Sequence, residues 1–364
     1  MVRIRRVMPL VIFAALSVSC GRESTCPVGP GSGELGILWQ KPTEWVWLGT
    51  PAVANASFYL SIRFGTLSEM SILDGGVTRE VNPQEPNDYE QPLIDGGTIF
   101  LSCGNSNVCA LDLAELRSLW STYVFPPDSD CCGMHIEYEL SRPIVDASSV
   151  YFTSEDGDLY CLERSSGALR WKQRIGRGSV AAPALLSGVV YAVGFDSLFS
   201  AVSAETGALL WQISIGQDVE WTGLKAMGSL IYGAGDGGFV FCVDPGARGV
   251  RWRSKVGKRF RAEISVSRGL ICAADESGIY ALDPGTGNCK WSRPTRAEGP
   301  IEVDGRIYCF SDDRYLLVLD ARTGRVLGQR EIGEPGFFNQ PVVIGDRVLA
   351  AGRGVIYCLQ DVTD

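Results

Sequence analysis

Short runs of β-branched and aromatic residues, broken by Gly, Asp and Asn, follow one another along most of the chain. Examples are VVYAVG (189–194), LFSAVS (198–203) and LLWQISI (209–215). Such runs are typical of β-strands joined by hairpin turns. No stretch beyond residue 20 shows a convincing helical period, which excludes a helical solenoid. The pattern therefore predicts an all-β protein built from short antiparallel strands.

An eleven-residue pattern recurs within these runs, usually opening on a small residue and closing ten positions later on Trp. It reads ALDPGTGNCKW at 281–291, AVSAETGALLW at 201–211 and CLERSSGALRW at 161–171. Eight units align on a slot that is usually Pro: Pro51, Pro92, Pro143, Pro183, Leu224, Ile264, Pro300 and Pro341. Their opening residues are Ile72, Ala110, Cys161, Ala201, Cys242, Ala281, Val318 and Cys358. Since four strands per repeat of about 40 residues is the signature of a propeller blade, we predict an eight-bladed β-propeller of four-stranded antiparallel blades.

Each closing Trp is predicted to lie as a large plate on an outer strand, against the neighbouring blade. An aromatic side chain of this size buries roughly 150–250 Å² of its surface. The turn before it requires a positive φ, which suits Gly167, Gly207, Gly287 and Gly324. The predicted docking residues are Trp39, Trp120, Trp171, Trp211, Trp252 and Trp291, while Gly328 stands in the weakest copy.

The ends of the chain are predicted to close the ring. The last unit stops at VIYCLQDVTD, where a Trp-bearing strand is due. The missing strand is GELGILWQK (33–41), with Trp39 in the docking position. Pairing of the N- and C-terminal strands hides edges that otherwise favour aggregation.

The copy at 281–291 resembles the tryptophan-docking motif A-x-D-x-x-T-G-x-x-x-W of pyrroloquinoline-quinone-type (PQQ-like) propeller repeats. It matches the motif in full, through Ala281, Asp283, Thr286, Gly287 and Trp291. The resemblance covers residues 34–364 and implies the propeller fold. It is weak for chemistry, because the repeat occurs in quinoprotein dehydrogenases and in non-catalytic scaffold lipoproteins. Among the latter is the propeller lipoprotein of the outer-membrane β-barrel assembly machinery.

The N-terminus has the features of an export signal. Three Arg precede the apolar run VMPLVIFAALSV, and residues 1–19 are predicted to be a signal peptide. LSVSC resembles a bacterial lipobox, although Leu16 stands four rather than three residues before the Cys, and implies palmitate-type lipidation at Cys20. The alternative is secretion without lipid. Residues 20–33 are predicted to be a flexible tether and residues 34–364 the propeller.

The net charge and the predicted location limit the kinds of partner that the protein is expected to bind. Removing the leader leaves 30 Lys and Arg against 42 Asp and Glu, a net charge of −12. A phosphate backbone is repelled by that field, so nucleic-acid binding is not expected. Gly21 rather than Asp follows Cys20, and by resemblance to Gram-negative lipoproteins this implies the outer membrane, facing the periplasm. We expect a monomeric propeller.

No catalytic, cofactor-binding or metal site is predicted. The one long insert, STYVFPPDSDCCGMHIEYEL (121–140), holds Cys131, Cys132 and His135. By resemblance to quinoprotein alcohol dehydrogenases, Cys131 and Cys132 are a candidate vicinal disulfide; the alternative is that they pair elsewhere or pin the loop. A closed zinc site needs four ligands, and no second cluster is evident.

Strand order places the A–B and C–D turns on one face, and the B–C turns and D-to-A connectors on the other, which we call the D–A face. Because the tether leaves towards the C–D turns, the D–A face is expected to be the free one. Its connectors hold the candidate partner-binding residues Trp45, Trp47, Trp221, Phe260, Arg261, Phe337 and Phe338. The alternative for each aromatic is that it fills a gap between blades.

The expected function is a non-enzymatic, lipid-anchored scaffold that binds envelope protein partners without a cofactor. Two alternatives stay open: a PQQ-dependent dehydrogenase, and a sensor of a small ligand at the channel mouth. Quinoprotein dehydrogenases are longer chains whose insertions supply cofactor and calcium ligands, and no such set can be mapped onto this sequence.

Overall fold

The chain folds into eight β-sheets arranged as an eight-bladed propeller. The computed structural model describes residues 33–42, 50–63, 66–82, 92–102, 106–124, 138–216, 221–267, 269–311, 314–333, 340–352 and 354–361. Seven of the sheets have four strands and one has five. In the described residues no helix has the length and apolar character needed to cross a membrane.

The strands are short, as the broken apolar runs predict. The first blade and the strands before it comprise β1 (Gly33–Glu34), β2 (Gly36–Pro42), β3 (Ala52–Ala54), β4 (Ser57–Arg63), β5 (Thr66–Ser71) and β6 (Val77–Val81). Blades 2 to 4 comprise β7 (Leu93–Asp95), β8 (Thr98–Ser102), β9 (Asn107–Asp112), β10 (Ser118–Tyr123), β11 (Ile144–Val145), β12 (Ser149–Thr153), β13 (Asp158–Glu163), β14 (Leu169–Arg174), β15 (Ala184–Leu186), β16 (Val189–Val193), β17 (Leu198–Ser203) and β18 (Leu209–Ser214). Blades 5 to 8 comprise β19 (Trp221–Met227), β20 (Leu230–Gly235), β21 (Phe239–Asp244), β22 (Gly249–Lys255), β23 (Ser265–Val266), β24 (Ile271–Asp275), β25 (Gly278–Leu282), β26 (Cys289–Arg293), β27 (Ala297–Val303), β28 (Arg306–Ser311), β29 (Tyr315–Asp320), β30 (Val326–Glu331), β31 (Val342–Ile344), β32 (Arg347–Gly352) and β33 (Val355–Gln360).

Each blade is an antiparallel meander of strands A to D. The A strands of neighbouring blades contact one another around the centre of the ring, as β3 does with β7 and β15 with β19. Blade 8 takes β31, β32 and β33 from the C-terminus and β2 from the N-terminus, with Trp39 opposite Cys358. The eight-bladed fold and its closure by both chain ends are therefore confirmed.

Hydrophobic clusters fill the boundaries between neighbouring blades. Six of these clusters include one of the predicted docking residues, Trp39, Trp120, Trp171, Trp211, Trp252 or Trp291. The ring nitrogen also reaches the next blade: Trp120 Nε1 donates to Arg164 O at 2.9 Å, and Trp291 Nε1 to Ala321 O at 2.9 Å. The tryptophan-docking motif therefore joins blade to blade by both packing and a hydrogen bond.

The turn glycines make the ring contact possible. Gly167 has φ +71°, and a Cβ at that position would lie 2.5 Å from the Trp120 ring. Gly207 has φ +72°, and a Cβ at that position would lie 2.7 Å from the Trp171 ring. A side chain there would meet both backbone strain and a clash.

Replacing Gly167 by Ala is expected to lower the free energy of unfolding by about 3 kcal/mol, from the left-handed φ and the collision with Trp120. Gly188 provides the control, because its φ is +76° while nothing lies within 4 Å of an added Cβ. Gly188→Ala should cost about 1 kcal/mol from φ alone. Urea denaturation measures the free energy of unfolding of the two variants. Equal losses would show that the Trp120 ring does not restrict the side chain at position 167.

Blade 1 differs from the predicted repeat. The register pairs Tyr59 with Glu69 and Glu69 with Arg79, so the opening residue is Glu69 and the assignment of Ile72 is wrong. Arg79 takes the Trp position: its Nε donates to Glu69 Oε2 at 2.5 Å, and its guanidinium also donates to Leu113 O in blade 2. An ion pair between Glu69 and Arg79 therefore takes the place of the small residue and the Trp of the other blades.

The boundary between blades 7 and 8 is filled from the N-terminus. Here Gly328 takes the Trp position, and β1 adds a fifth strand beside it, pairing in parallel with β30 through Gly33 and Gly328. The next residue, Leu35, is 0% exposed and packs among Tyr308 and Leu359. Leu35 thus fills a boundary of the kind where six other blades place a docking Trp.

Three cysteines of the strands are packing residues. Cys161, Cys242 and Cys358 are buried free thiols, and each lies opposite a docking Trp. Burial raises the pKa of both Cys161 and Cys242 to about 11, so these thiols stay protonated at neutral pH. Cys109 is disulfide-bonded, with a partner outside the described residues.

Candidate functional site

The D–A face carries the candidate site, and most of its predicted residues lie outside the described part of the chain. These are Trp45, Trp47, Phe337 and Phe338. The insert residues Cys131, Cys132 and His135 and the lipidation residue Cys20 also lie outside the described residues. Trp221 opens β19, but its side chain is also outside the described set. Phe260 and Arg261 remain, and both lie in the connector from blade 5 to blade 6.

Phe260 and Arg261 point in opposite directions. Arg261 is exposed, whereas Phe260 is 1% exposed and packs edge-to-face on Tyr280, with ring centroids 6.0 Å apart. Phe260 belongs to the hydrophobic cluster between blades 5 and 6. The gap-filling alternative therefore holds for Phe260, which offers no surface to a partner.

A buried carboxylate fixes the same connector. Asp275, at the end of β24, accepts hydrogen bonds on Oδ2 from Lys258 N at 2.5 Å and Arg259 N at 3.0 Å. Burial alone raises the pKa of Asp275, but these amides and the Ser277 hydroxyl outweigh it and hold the pKa below its ordinary value. With Phe260 inserted on one side and Asp275 bound on the other, the connector is held in one conformation.

The centre of the ring at this end holds a polar cluster, which we call the cross-channel cluster. It consists of Arg142, Lys225, Glu263 and Gln340, from blades 3, 5, 6 and 8. Arg142 Nη2 reaches Glu263 Oε2 at 3.4 Å from three blades away, and Lys225 Nζ donates to the same oxygen. A Cβ on Gly223 would lie 2.7 Å from Glu263 Oε1, so Gly223 makes room for the carboxylate.

Gln340 extends the cluster through the backbone. Its Nε2 donates to Glu263 O at 3.1 Å and to Pro300 O at 3.4 Å, and its backbone N donates to Thr50 Oγ1 at 3.1 Å. Side chains and backbone from six blades therefore meet at the D–A end of the innermost strands.

The cluster is held together by charge. Burial raises the pKa of Glu263, but the positive charges of Lys225 and Arg142 outweigh burial and bring the pKa below its ordinary value. Glu263 is therefore ionised at neutral pH, and two cations face one carboxylate.

Replacing Glu263 by Gln is expected to lower the free energy of unfolding by about 2 kcal/mol at pH 7. Breaking a fully buried pair costs about 3–5 kcal/mol, and here 19% of the Glu263 side chain stays exposed. Because the folded-state pKa is depressed, the stabilisation exists above the ordinary carboxylate pKa and disappears as the pH falls through the folded value. Urea denaturation at pH 7 and in acid should show the gap closing, with exposed Glu276→Gln as the unaffected control.

In the described part of the chain, no group of three or more His, Cys, Asp or Glu could hold a metal ion. The carboxylate at the channel, Glu263, is committed to Arg142 and Lys225.

Comparison with known proteins assigns the family. A family model described as "Outer membrane protein assembly factor BamB" matches residues 138–219 and 200–364, which together exceed half of the chain. The chain belongs to this family. BamB of Yersinia pestis is 23% identical over 339 residues, covering 84% of this chain and 83% of that protein.

Solved structures agree on the fold. The crystal structure of BamB from Moraxella catarrhalis superposes with a TM-score of 0.69 at 18% identity, covering 88% of this chain and 97% of that one. A quinohemoprotein alcohol dehydrogenase from Pseudomonas putida HK5 gives 0.73 at 13% identity, covering 91% and 77%. Since an enzyme and an assembly factor share the architecture equally well, the fold alone does not decide function.

Proposed function

We propose that the protein is a non-enzymatic, lipid-anchored propeller that takes part in outer-membrane protein assembly by binding envelope protein partners on its D–A face. The observation that carries this is the match of the BamB family model over most of the propeller. Relatives named as outer membrane protein assembly factors cover most of both chains. The proposed location is the outer membrane, facing the periplasm, through lipid on Cys20.

Strand direction supports the orientation. β1 runs parallel to β30 and β2 is the D strand of blade 8, so residues 33–42 run from the C–D end to the D–A end. The segment that precedes Gly33 therefore joins the fold at the C–D end. A lipid on Cys20 would leave the D–A face turned away from the membrane.

Deleting the gene in its native host tests the proposal. We expect less folded outer-membrane β-barrel protein, measured by heat-modifiable migration on gels, and full rescue by the wild-type gene. Cys20→Ser should move the protein from the membrane fraction to the soluble envelope fraction. Unchanged β-barrel levels would contradict the assembly role, and a wild-type protein already in the soluble fraction would contradict lipidation.

A quinone-dependent dehydrogenase remains the second candidate, favoured by the fold similarity to the Pseudomonas enzyme. Adding pyrroloquinoline quinone and calcium to the purified protein distinguishes the two. We expect neither stoichiometric binding nor dye reduction with alcohols or aldose sugars. Either signal would favour the dehydrogenase.

A further inference from the structure

Blade 5 carries a run of positive charge on an acidic protein. Residues 245–262 contain seven Lys or Arg and no Asp or Glu. The rest of the chain has 26 Lys and Arg against 42 Asp and Glu. The positive charge is therefore concentrated locally, where it can select a partner by sign.

Five of these cations lie towards the D–A end of blade 5, and we call them the basic strip: Arg253, Lys255, Lys258, Arg259 and Arg261. β22 carries Arg253 and Lys255, and the connector to blade 6 carries the other three. All except Arg253 are exposed. The strip thus runs from the rim of the propeller onto its D–A face.

An aromatic ring lies within the strip. Phe239 opens β21 directly opposite Lys255, and its ring is partly exposed. The Arg253 guanidinium lies 3.7 Å from the ring centroid and the Lys255 ammonium 4.9 Å from it. Arg beside a partly exposed aromatic is the combination found at the energetic centres of protein interfaces.

Three carboxylates lie around the strip in the described part of the chain. Asp236 lies 3.9 Å from Arg259. Asp275 is buried against backbone amides, and Glu276 is exposed in the adjoining turn. Among the described residues, the four exposed cations of the strip therefore outnumber these three acids, two of which are exposed or partly exposed.

The connector presents its cations in a fixed arrangement. Phe260 is inserted between blades 5 and 6, and Asp275 holds the amides of Lys258 and Arg259. A loop already held in place loses little conformational entropy when it binds a partner.

We propose that the basic strip binds an acidic segment of a polypeptide partner. This inference rests on the proposed function and adds the chemistry of the partner. Acidic lipid is the less favoured source of negative charge, because the chain before Gly33 joins at the opposite end of the fold. An acidic peptide satisfies both the charge of the strip and its position on the D–A face.

The test uses the full mature chain with Cys20→Ser and a labelled peptide that alternates Glu and Asp with Ser. Fluorescence anisotropy should show binding that weakens steadily from 50 to 500 mM NaCl, because exposed charges are screened. The variant Lys258→Glu/Arg259→Glu/Arg261→Glu should bind at least tenfold more weakly. The matched control, Arg248→Glu/Arg322→Glu/Arg325→Glu, changes the net charge equally at three exposed sites in the C–D turns and should bind like the parent.

Equal loss in both triple variants would overturn the proposal, because it would show a response to net charge alone. Absence of peptide binding, or binding only to phosphatidylglycerol vesicles through the same strip, would also overturn it. Neither result touches the assembly role, which the gene deletion tests separately. Circular dichroism of both variants confirms that they are folded before the affinities are compared.

Discussion

Deleting residues 33–42 is expected to abolish soluble expression or to lower the melting temperature by roughly 10 °C or more. The deletion removes the outer strand of blade 8 and the fifth strand of blade 7 together. It leaves β33 as an unpaired edge, and exposed edges favour aggregation. It also removes Leu35 and Trp39, which fill two adjacent blade boundaries at a few kcal/mol each.

Two leucines of this segment show whether stability depends on the buried contacts that close the ring or only on the loss of an apolar residue. Leu35 is 0% exposed and Leu38 is 42% exposed. Leu35→Ala should cost about 2–5 kcal/mol and Leu38→Ala less than about 0.5 kcal/mol. Thermal and urea unfolding of the three variants measure this. A deletion that melts like the wild type would contradict closure by both termini.

The repeat made the fold predictable because each blade uses the same local chemistry. A small residue opposite Trp, with Gly at a left-handed turn, fixes the register of the two outer strands in blades 3, 4 and 6. That register also places Trp39 opposite Cys358, and the missing strand of the last blade could be found on that basis.

The repeat pattern does not predict the alignment of a blade whose paired residues differ in chemistry from those of the other blades. The pairing of Glu69 with Arg79 carries no apolar or aromatic signal, so the repeat pattern places the opening residue of blade 1 at Ile72 instead. On the other side of this boundary, Leu116 occupies the turn position that is Gly in blades 1, 3, 4, 6 and 7, with φ 51°, and its buried side chain packs in the cluster between blades 1 and 2. A single repeated motif does not describe a boundary built from different residues.

The candidate site was only partly predictable, because its contacts join distant parts of the chain. Arg142 and Glu263 are 121 residues apart and meet only when the ring closes. Each stands directly before a Pro-slot residue, at Pro143 and Ile264. That shared position is a signal from which an inward-facing ring of side chains could have been found. The basic strip, in contrast, is visible in the sequence as an acid-free run of cations.

Phe260→Ala is expected to lower the free energy of unfolding by about 3–5 kcal/mol, the largest effect of any single substitution considered on the D–A face. The ring is fully enclosed between blades 5 and 6, so its removal leaves a cavity against Tyr280. Its neighbour Arg261 is exposed, and Arg261→Ala should change stability by less than about 0.5 kcal/mol. Urea denaturation of the two single variants gives the comparison.

Peptide binding should show the reverse order of effects, with Arg261→Ala the more damaging substitution and Phe260→Ala the less damaging one. Arg261→Ala removes a charge of the basic strip. It should weaken binding of the acidic peptide by a few-fold while leaving the fold intact. In Phe260→Ala the charges all remain and Asp275 still holds two amides of the connector, so binding under folding conditions should change less than stability does. If Phe260→Ala were as stable as the wild type but lost the peptide, the ring would belong to the docking surface after all, and the division of the connector into a buried anchor and exposed cations would be wrong.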